Sequence, residues 1–243
     1  MISRAFASGH ITSCNKTAIC RRVCLIIFIL ITVAIRPQAK ADDTNALFNW
    51  LSAQKDIQTW SADFVQTRRL KTLTQPLTES GHVWFAAPNR FRWELGIPPK
   101  TLAVREADQM LVISPRLKRV ERYRLSGDEA GPWKETLALI DVGFPRNREE
   151  IESRFNIMSQ NETNGIHELT LQPKAETARR MLPLVKISFD TKTWSLAATE
   201  MQFTDGSSMR NDFKNAVVNS KLDESMFSPK IEADYKMTEP FKK

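Results

Sequence analysis

The chain has 243 residues, of which 42% are hydrophobic and 26% charged, and its formal net charge is +7. Its three cysteines all lie before residue 42, which excludes a disulfide framework, a thiolate metal site and a cysteine nucleophile from the rest of the chain. The first 41 residues hold six of the 35 basic residues and none of the 28 acidic ones. Residues 42–243 therefore have 29 basic and 28 acidic residues, a formal net charge of +1. A balance this close to neutral excludes a generally basic nucleic-acid binder.

Residues 1–41 have the order of a secretory signal peptide. The pair Arg21-Arg22 precedes a 13-residue apolar run, Val23–Ile35, and the triplet Ala39-Lys40-Ala41 follows. Spanning a bilayer takes about 20 residues, so an uncleaved anchor is the weaker alternative. The pattern predicts cleavage after Ala41 and a periplasmic protein.

Residues 42–243 are long enough for one sizeable core, and we expect a single domain there. It begins with a predicted helix from Asp43, in which Leu47, Trp50 and Leu51 form an apolar stripe that Ile57 continues. Further along, Arg90–Leu95 alternates strictly between charged and apolar residues, which predicts a strand with one buried face.

Ten other segments have the composition of strands, and turn signals such as Pro88-Asn89 and Asp205-Gly206 separate many of them. They are Ala62–Leu70, Gly81–Phe85, Thr101–Arg105, Met110–Ile113, Arg119–Leu125, Phe155–Ser159, His167–Gln172, Leu184–Phe189, Leu196–Thr204 and Ser208–Lys214. A second helix is predicted over Pro132–Val142. The fold class is therefore α+β and mainly β: a curved, incomplete antiparallel barrel, or cup, lidded by two or three helices.

The sequence after residue 41 contains no HExxH, P-loop, GxSxG or GxGxxG motif. His82 and His167 have no partner at metal-ligand spacing. We predict no enzymatic activity, no cofactor and no metal, with an enzyme that uses two paired carboxylates as the alternative.

Two clusters of side chains are candidates for binding. The first is a group of aromatic residues, which form either part of the core or the wall of a ligand site. They are Trp84, Phe85, Phe91 and Trp93. A basic tract is either a solvated hairpin face or a docking surface for lipid headgroups or an acidic partner. It consists of Arg116, Lys118, Arg119, Arg122 and Arg124.

The segment Gly81–Trp93 resembles the hallmark of the periplasmic outer-membrane lipoprotein carrier family (LolA-like): a glycine, a Trp-containing strand, Pro-Asn and Phe-x-Trp. Other pieces are similar to the family in the same order. They are Phe64-Val65-Gln66, Asp108–Pro115, Leu171-Gln172-Pro173-Lys174 and Glu224–Pro229.

The resemblance implies an open sheet around an apolar cavity for acyl chains. The positions implied to line it are Phe64, Val83, Phe85, Phe91, Trp93, Leu95, Met110 and Val112. It also implies a monomeric carrier of a lipoprotein or glycolipid, working between an inner-membrane donor complex and an outer-membrane acceptor. The alternative is a lipoprotein-sensing regulatory module of the same fold. Such regulators carry an extra C-terminal domain, whereas this sequence ends soon after Pro229, so we expect the carrier.

One position departs from the family pattern. Where the family usually has an arginine that latches the lid, this chain has Ala87. The alternation places Arg90 and Arg92 on the face opposite Phe91, so Arg105 is the first candidate to replace the latch. We expect a lid that opens more often.

Export is directly testable. We expect N-terminal sequencing of protein from the periplasmic fraction to begin at Asp42, because signal peptidase cuts after a small-x-small triplet. Protein that retains residues before Val23 and stays in the inner membrane would contradict the prediction.

Overall fold

The structure, a computed structural model, describes residues 43–240, apart from Ala107, residues 126–144 and Arg146. The predicted signal peptide and the predicted helix Pro132–Val142 lie outside the described residues. In the described ranges, none of the helices has the length and apolar character needed to cross a membrane.

The described residues form three α-helices, two 3₁₀ turns and twelve strands. The helices are α1 (Asp43–Gln54), α2 (Arg148–Arg154) and α3 (Glu176–Met181), and the 3₁₀ turns are Pro115–Leu117 and Glu224–Phe227. The strands are β1 (Thr59–Arg69), β2 (Leu77–Ala86), β3 (Arg90–Leu95), β4 (Thr101–Glu106), β5 (Gln109–Ser114), β6 (Arg119–Arg124), β7 (Phe155–Thr163), β8 (Ile166–Pro173), β9 (Leu184–Asp190), β10 (Leu196–Gln202), β11 (Ser208–Val218) and β12 (Lys236–Thr238).

All twelve strands belong to one open, curved sheet, in the order β12-β6-β5-β4-β3-β2-β1-β11-β10-β9-β8-β7. Every pair is antiparallel except β12 with β6. The predicted fold class is confirmed, and every strand except β12 lies where the sequence predicts one. Strand β12 and helices α2 and α3 are not predicted from the sequence, because each is too short for a clear period.

Helix α1 covers one face of the sheet, which we call the inner face. Leu47, Trp50 and Leu51 are buried, as the predicted stripe requires. The ring of Trp50 stacks on that of Phe189 in β9, with centroids 4.7 Å apart and planes 1° apart. Burial of both rings makes this contact a main source of stability in this half of the sheet.

The opposite, outer face has two different halves. On β8 to β11 it is polar, with ion pairs such as Lys186 to Glu168. On β4 to β6 it is apolar, and the chain after β11 covers it with Ile231 and Tyr235. Strand β5 is therefore apolar on both faces, with Met110 and Val112 inside and Leu111 and Ile113 outside.

Replacing Trp50 tests the role of the stack. We expect Trp50→Ala to lower the free energy of unfolding by about 3–5 kcal/mol, measured by urea denaturation, because it leaves a cavity against Phe189. Trp50→Phe should cost much less, since it keeps a ring there and removes an indole N–H that has no hydrogen-bond partner among the described residues. Equal losses for the two variants would contradict this account.

Candidate functional site

The strand register brings the predicted cavity residues onto one face. Val83 and Phe85 in β2 lie directly opposite Trp93 and Phe91 in β3. Residues directly opposite each other in an antiparallel pair point to the same side of the sheet. Phe64 lies opposite Gly81, two residues before Val83, and so points to the same side.

The same face continues across β4 to β5. Phe91 lies opposite Arg105, and Arg105 lies opposite Met110. Trp93 is connected in the same way, through Ala103, to Val112. All eight predicted cavity residues thus share the inner face with the core under α1; we call this set the inner-face wall.

Members of the inner-face wall differ in exposure. Five are buried and three are half-buried. The buried ones are Phe64, Val83, Phe85, Phe91 and Met110, and the half-buried ones are Trp93, Leu95 and Val112. The wall therefore has a closed floor of five buried side chains and a strip of three partly accessible ones, Trp93, Leu95 and Val112.

Phe64 and Gly81 set the packing in the middle of the wall. The ring of Phe64 lies 4.1 Å from that of Trp93, centroid to centroid. A Cβ atom at position 81 would collide with the ring of Phe64 and the backbone carbonyl of Glu94. Glycine at this position therefore lets the two aromatic rings meet.

Two polar side chains on the inner face, Tyr123 and Glu121, are not predicted from the sequence. Tyr123 lies opposite Met110 and Glu121 lies opposite Val112, and the hydroxyl of Tyr123 donates a hydrogen bond to Glu121. Burial, together with that bond, raises the pKa of Tyr123 well above its ordinary value, so the phenol remains a donor. Four of the six residues of β6 are charged, so the sequence shows no clear alternation of apolar and polar residues there.

The arginines next to the wall lie as the alternation predicts. Arg105 is half-buried on the inner face. Arg92, on the outer face, bonds Glu94 at 2.6 Å and the backbone carbonyl of Met226 at 3.0 Å. Ala87 packs against the core, and its backbone N–H donates to the carbonyl of Gln58. Arg105 is thus placed where a latch to the inner face would act, and this role stays a prediction.

Arg90, also on the outer face, holds the chain after β11. It pairs with Glu224, and this hydrogen bond lowers the pKa of Glu224 below its ordinary value. The guanidinium also lies 5.2 Å from the ring centroid of Phe227.

The predicted basic tract does not form one patch. Lys118 pairs with Asp234, and Arg119 pairs with Glu121. Arg122 and Arg124 both face Glu239, at 3.6 and 3.9 Å. Much of the tract is therefore neutralised by acidic residues, two of which, Asp234 and Glu239, belong to the chain after β11.

Both histidines after residue 41 are in structural surroundings. His82 contacts Asp63 at 2.7 Å on the outer face. His167 is fully buried and stacks on Phe189, with centroids 5.0 Å apart. Within the described ranges, no three His, Cys, Asp or Glu side chains are grouped so as to hold a metal ion.

Residues 55–230 match the family described as "Outer membrane lipoprotein carrier protein LolA". The chain belongs to this family, which is described as one of carrier proteins. An outer-membrane lipoprotein carrier protein of Chromohalobacter salexigens is 24% identical over 178 residues, 73% of this chain and 79% of that one. One from Xanthomonas axonopodis pv. citri is 30% identical over 102 residues, which span 41% of this chain and 44% of that protein.

Among solved structures, a LolA superfamily protein from Nitrosomonas europaea superimposes with a TM-score of 0.40 and 8% identity. That superposition covers 76% of this chain and 96% of the other.

Gly81 offers a test of the wall's packing. We expect Gly81→Ala to lower the free energy of unfolding by about 1–3 kcal/mol, because an added methyl group has no room beside Phe64. The near-ultraviolet circular dichroism signal should change as Phe64 and Trp93 separate. The neighbouring Ser80→Ala, on the outer face of β2, should stay within about 0.5 kcal/mol of the wild type; a similar loss there would place the cause in the strand backbone.

Proposed function

We propose that the chain is a monomeric periplasmic carrier that shields the acyl chains of a lipoprotein or glycolipid on its inner-face wall and moves them from inner to outer membrane. The observation that supports this most directly is the half-buried strip of Trp93, Leu95 and Val112, which lies beside a closed apolar floor. Membership of the carrier family favours the same function.

The energetics explain why such cargo needs a carrier. Each CH₂ group removed from water contributes about 0.8 kcal/mol, so a long acyl chain resists transfer through water by roughly 10 kcal/mol. An apolar wall lowers that barrier by giving the chain a second place to bury. Release then requires an acceptor that binds the cargo more tightly, and we place any energy input in an inner-membrane donor complex.

Charged and polar side chains beside the inner-face wall suit the end of an acyl chain that carries ester or amide groups. Arg105 has a charged group on the same face as Phe91 and Met110. Tyr123 and Glu121 lie on β6, which pairs with β5, and face the same side. We propose that these residues orient the polar end of the cargo while the apolar strip binds its hydrocarbon.

Val112 is the best position at which to separate binding from folding. Phe91 is only 2% exposed, so a polar residue there would be buried without a partner and would destabilise the fold. Val112 is half-buried, and we expect Val112→Gln to leave the unfolding midpoint nearly unchanged. Binding of a dansyl-labelled fatty acid, measured by fluorescence titration, should weaken about five- to 150-fold, the equivalent of about 1–3 kcal/mol for an unpaired amide against hydrocarbon.

Val65→Gln is the matched control. Val65 is also half-buried, but it lies opposite Ser80 and Asp212 on the outer face, so its replacement should not affect binding. Equal weakening in both variants, or none in Val112→Gln, would contradict an inner-face acyl site.

A further inference from the structure

Three successive hairpin turns lie at the same end of the sheet. They connect β1 to β2 (residues 70–76), β3 to β4 (96–100) and β5 to β6 (115–118). The register confirms their common end, since Leu77 lies opposite Arg68 and Leu95 lies opposite Thr101. Neighbouring turns are two strands apart, which corresponds to about 10 Å. We call these turns and the strand residues that flank them the turn rim.

Each of these turns exposes large aliphatic side chains. Ile97 is 82% exposed and Leu117 is 68% exposed. The first turn and its flanks add Leu70, Leu73 and Leu77. At the opposite end of the same strands, the described turn residues are Ala87, Pro88, Asn89 and Asp108, and none of these is a large aliphatic residue. The exposed Val217 and Val218 at that end belong to β11 and not to a turn. Single exposed aliphatic residues are common, but one or more on each of three neighbouring turns marks a contact surface.

Basic side chains are interspersed with the aliphatic ones. They are Arg68, Arg69, Lys71, Lys100, Arg116 and Lys118. Lys100 pairs with Glu79 and Lys118 with Asp234. In the part of the chain that the structure describes, Arg68, Arg69 and Arg116 belong to no ion pair. The turn rim therefore combines exposed hydrocarbon with excess positive charge.

We propose that the turn rim docks on the surface of an anionic lipid bilayer, with Leu73, Ile97 and Leu117 inserted between the headgroups. The cores of protein–protein interfaces are enriched in aromatic residues and depleted of lysine, whereas these three turns contain lysines and no aromatic residue. Hydrocarbon flanked by lysine and arginine matches the interface of a membrane with negative headgroups.

The position of the turn rim links docking to the wall. Leu95, on the half-buried strip, is only two residues before Ile97. A protein docked by this end would hold the strip next to the bilayer. Docking itself does not depend on the identity of the cargo, so it can be tested separately from acyl binding.

Flotation with vesicles tests the aliphatic part of the surface. Protein exported from its full sequence and purified from the periplasm should bind vesicles of phosphatidylglycerol and phosphatidylethanolamine, and bind phosphatidylcholine vesicles weakly. The triple variant Leu73→Ser, Ile97→Ser, Leu117→Ser should lose at least about tenfold in binding, because three side chains no longer enter the apolar layer. Met158→Ser, Val217→Ser, Val218→Ser removes three exposed apolar side chains elsewhere and should bind as the wild type does.

A second pair of variants tests the charge. Arg68→Gln, Arg69→Gln, Arg116→Gln should weaken binding to the anionic vesicles by about fivefold per residue, the equivalent of about 1 kcal/mol each. Lys192→Gln, Lys214→Gln, Lys221→Gln changes the net charge equally, away from the turn rim, and should have a smaller effect. Added salt should reduce binding of the wild type.

A site-specific label identifies the contact directly. Because residues 42–243 contain no cysteine, Leu117→Cys and Val217→Cys can each carry one environment-sensitive fluorophore. Brominated lipids should quench the label at position 117 and not that at position 217. Fatty-acid binding by the triple serine variant should be unchanged, since none of its three positions belongs to the inner-face wall.

Three results would overturn the proposal. One is no binding to pure anionic vesicles, and a second is equal binding by the triple serine variant and the wild type. The third is binding to inner-membrane vesicles that disappears when protease removes their exposed proteins, which would assign the turn rim to a protein partner.

Discussion

The side chain of Phe64 occupies the centre of the sheet, where β1 joins the strands on either side of it. Its ring contacts Trp93 at 4.1 Å and approaches Phe213 at 6.4 Å, centroid to centroid. The missing side chain of Gly81 makes room for this packing. Trp93 also approaches Phe213, at 6.2 Å. These three rings therefore connect the α1-covered core to the inner-face wall, and the shape of the wall depends on their packing.

The two halves of the sheet use their inner faces differently. Where α1 packs, the inner face is a closed core, with Trp50 stacked on Phe189. On β3 to β5 the inner face keeps Trp93, Leu95 and Val112 partly exposed. A protein that binds hydrocarbon needs both arrangements, because the closed half supplies the stability that an exposed apolar strip does not.

The chain after β11 covers apolar side chains on the outer face of the sheet. Strands β4 to β6 carry apolar residues on their outer face as well, and Ile231 and Tyr235 cover them. Acidic residues of the same segment, among them Asp234 and Glu239, pair with basic residues of β6 and its preceding turn. The segment thus buries apolar surface and offsets charge in one layer on the outer face.

The sequence by itself determined the strand pattern, the first helix and the side of β3 that faces inward, because alternation and helical spacing are local properties that each segment carries alone. Only the tertiary structure decided that Phe91 and Met110 are closed while Val112 is partly open, since exposure depends on strands that are distant in the sequence. It also decided which acidic residues pair with the basic tract. The same holds for Arg92, whose bond to Met226 joins residues 134 positions apart. The short elements β12, α2 and α3 are of the same kind: contacts across the fold hold them, and a few residues have too little periodicity to predict them.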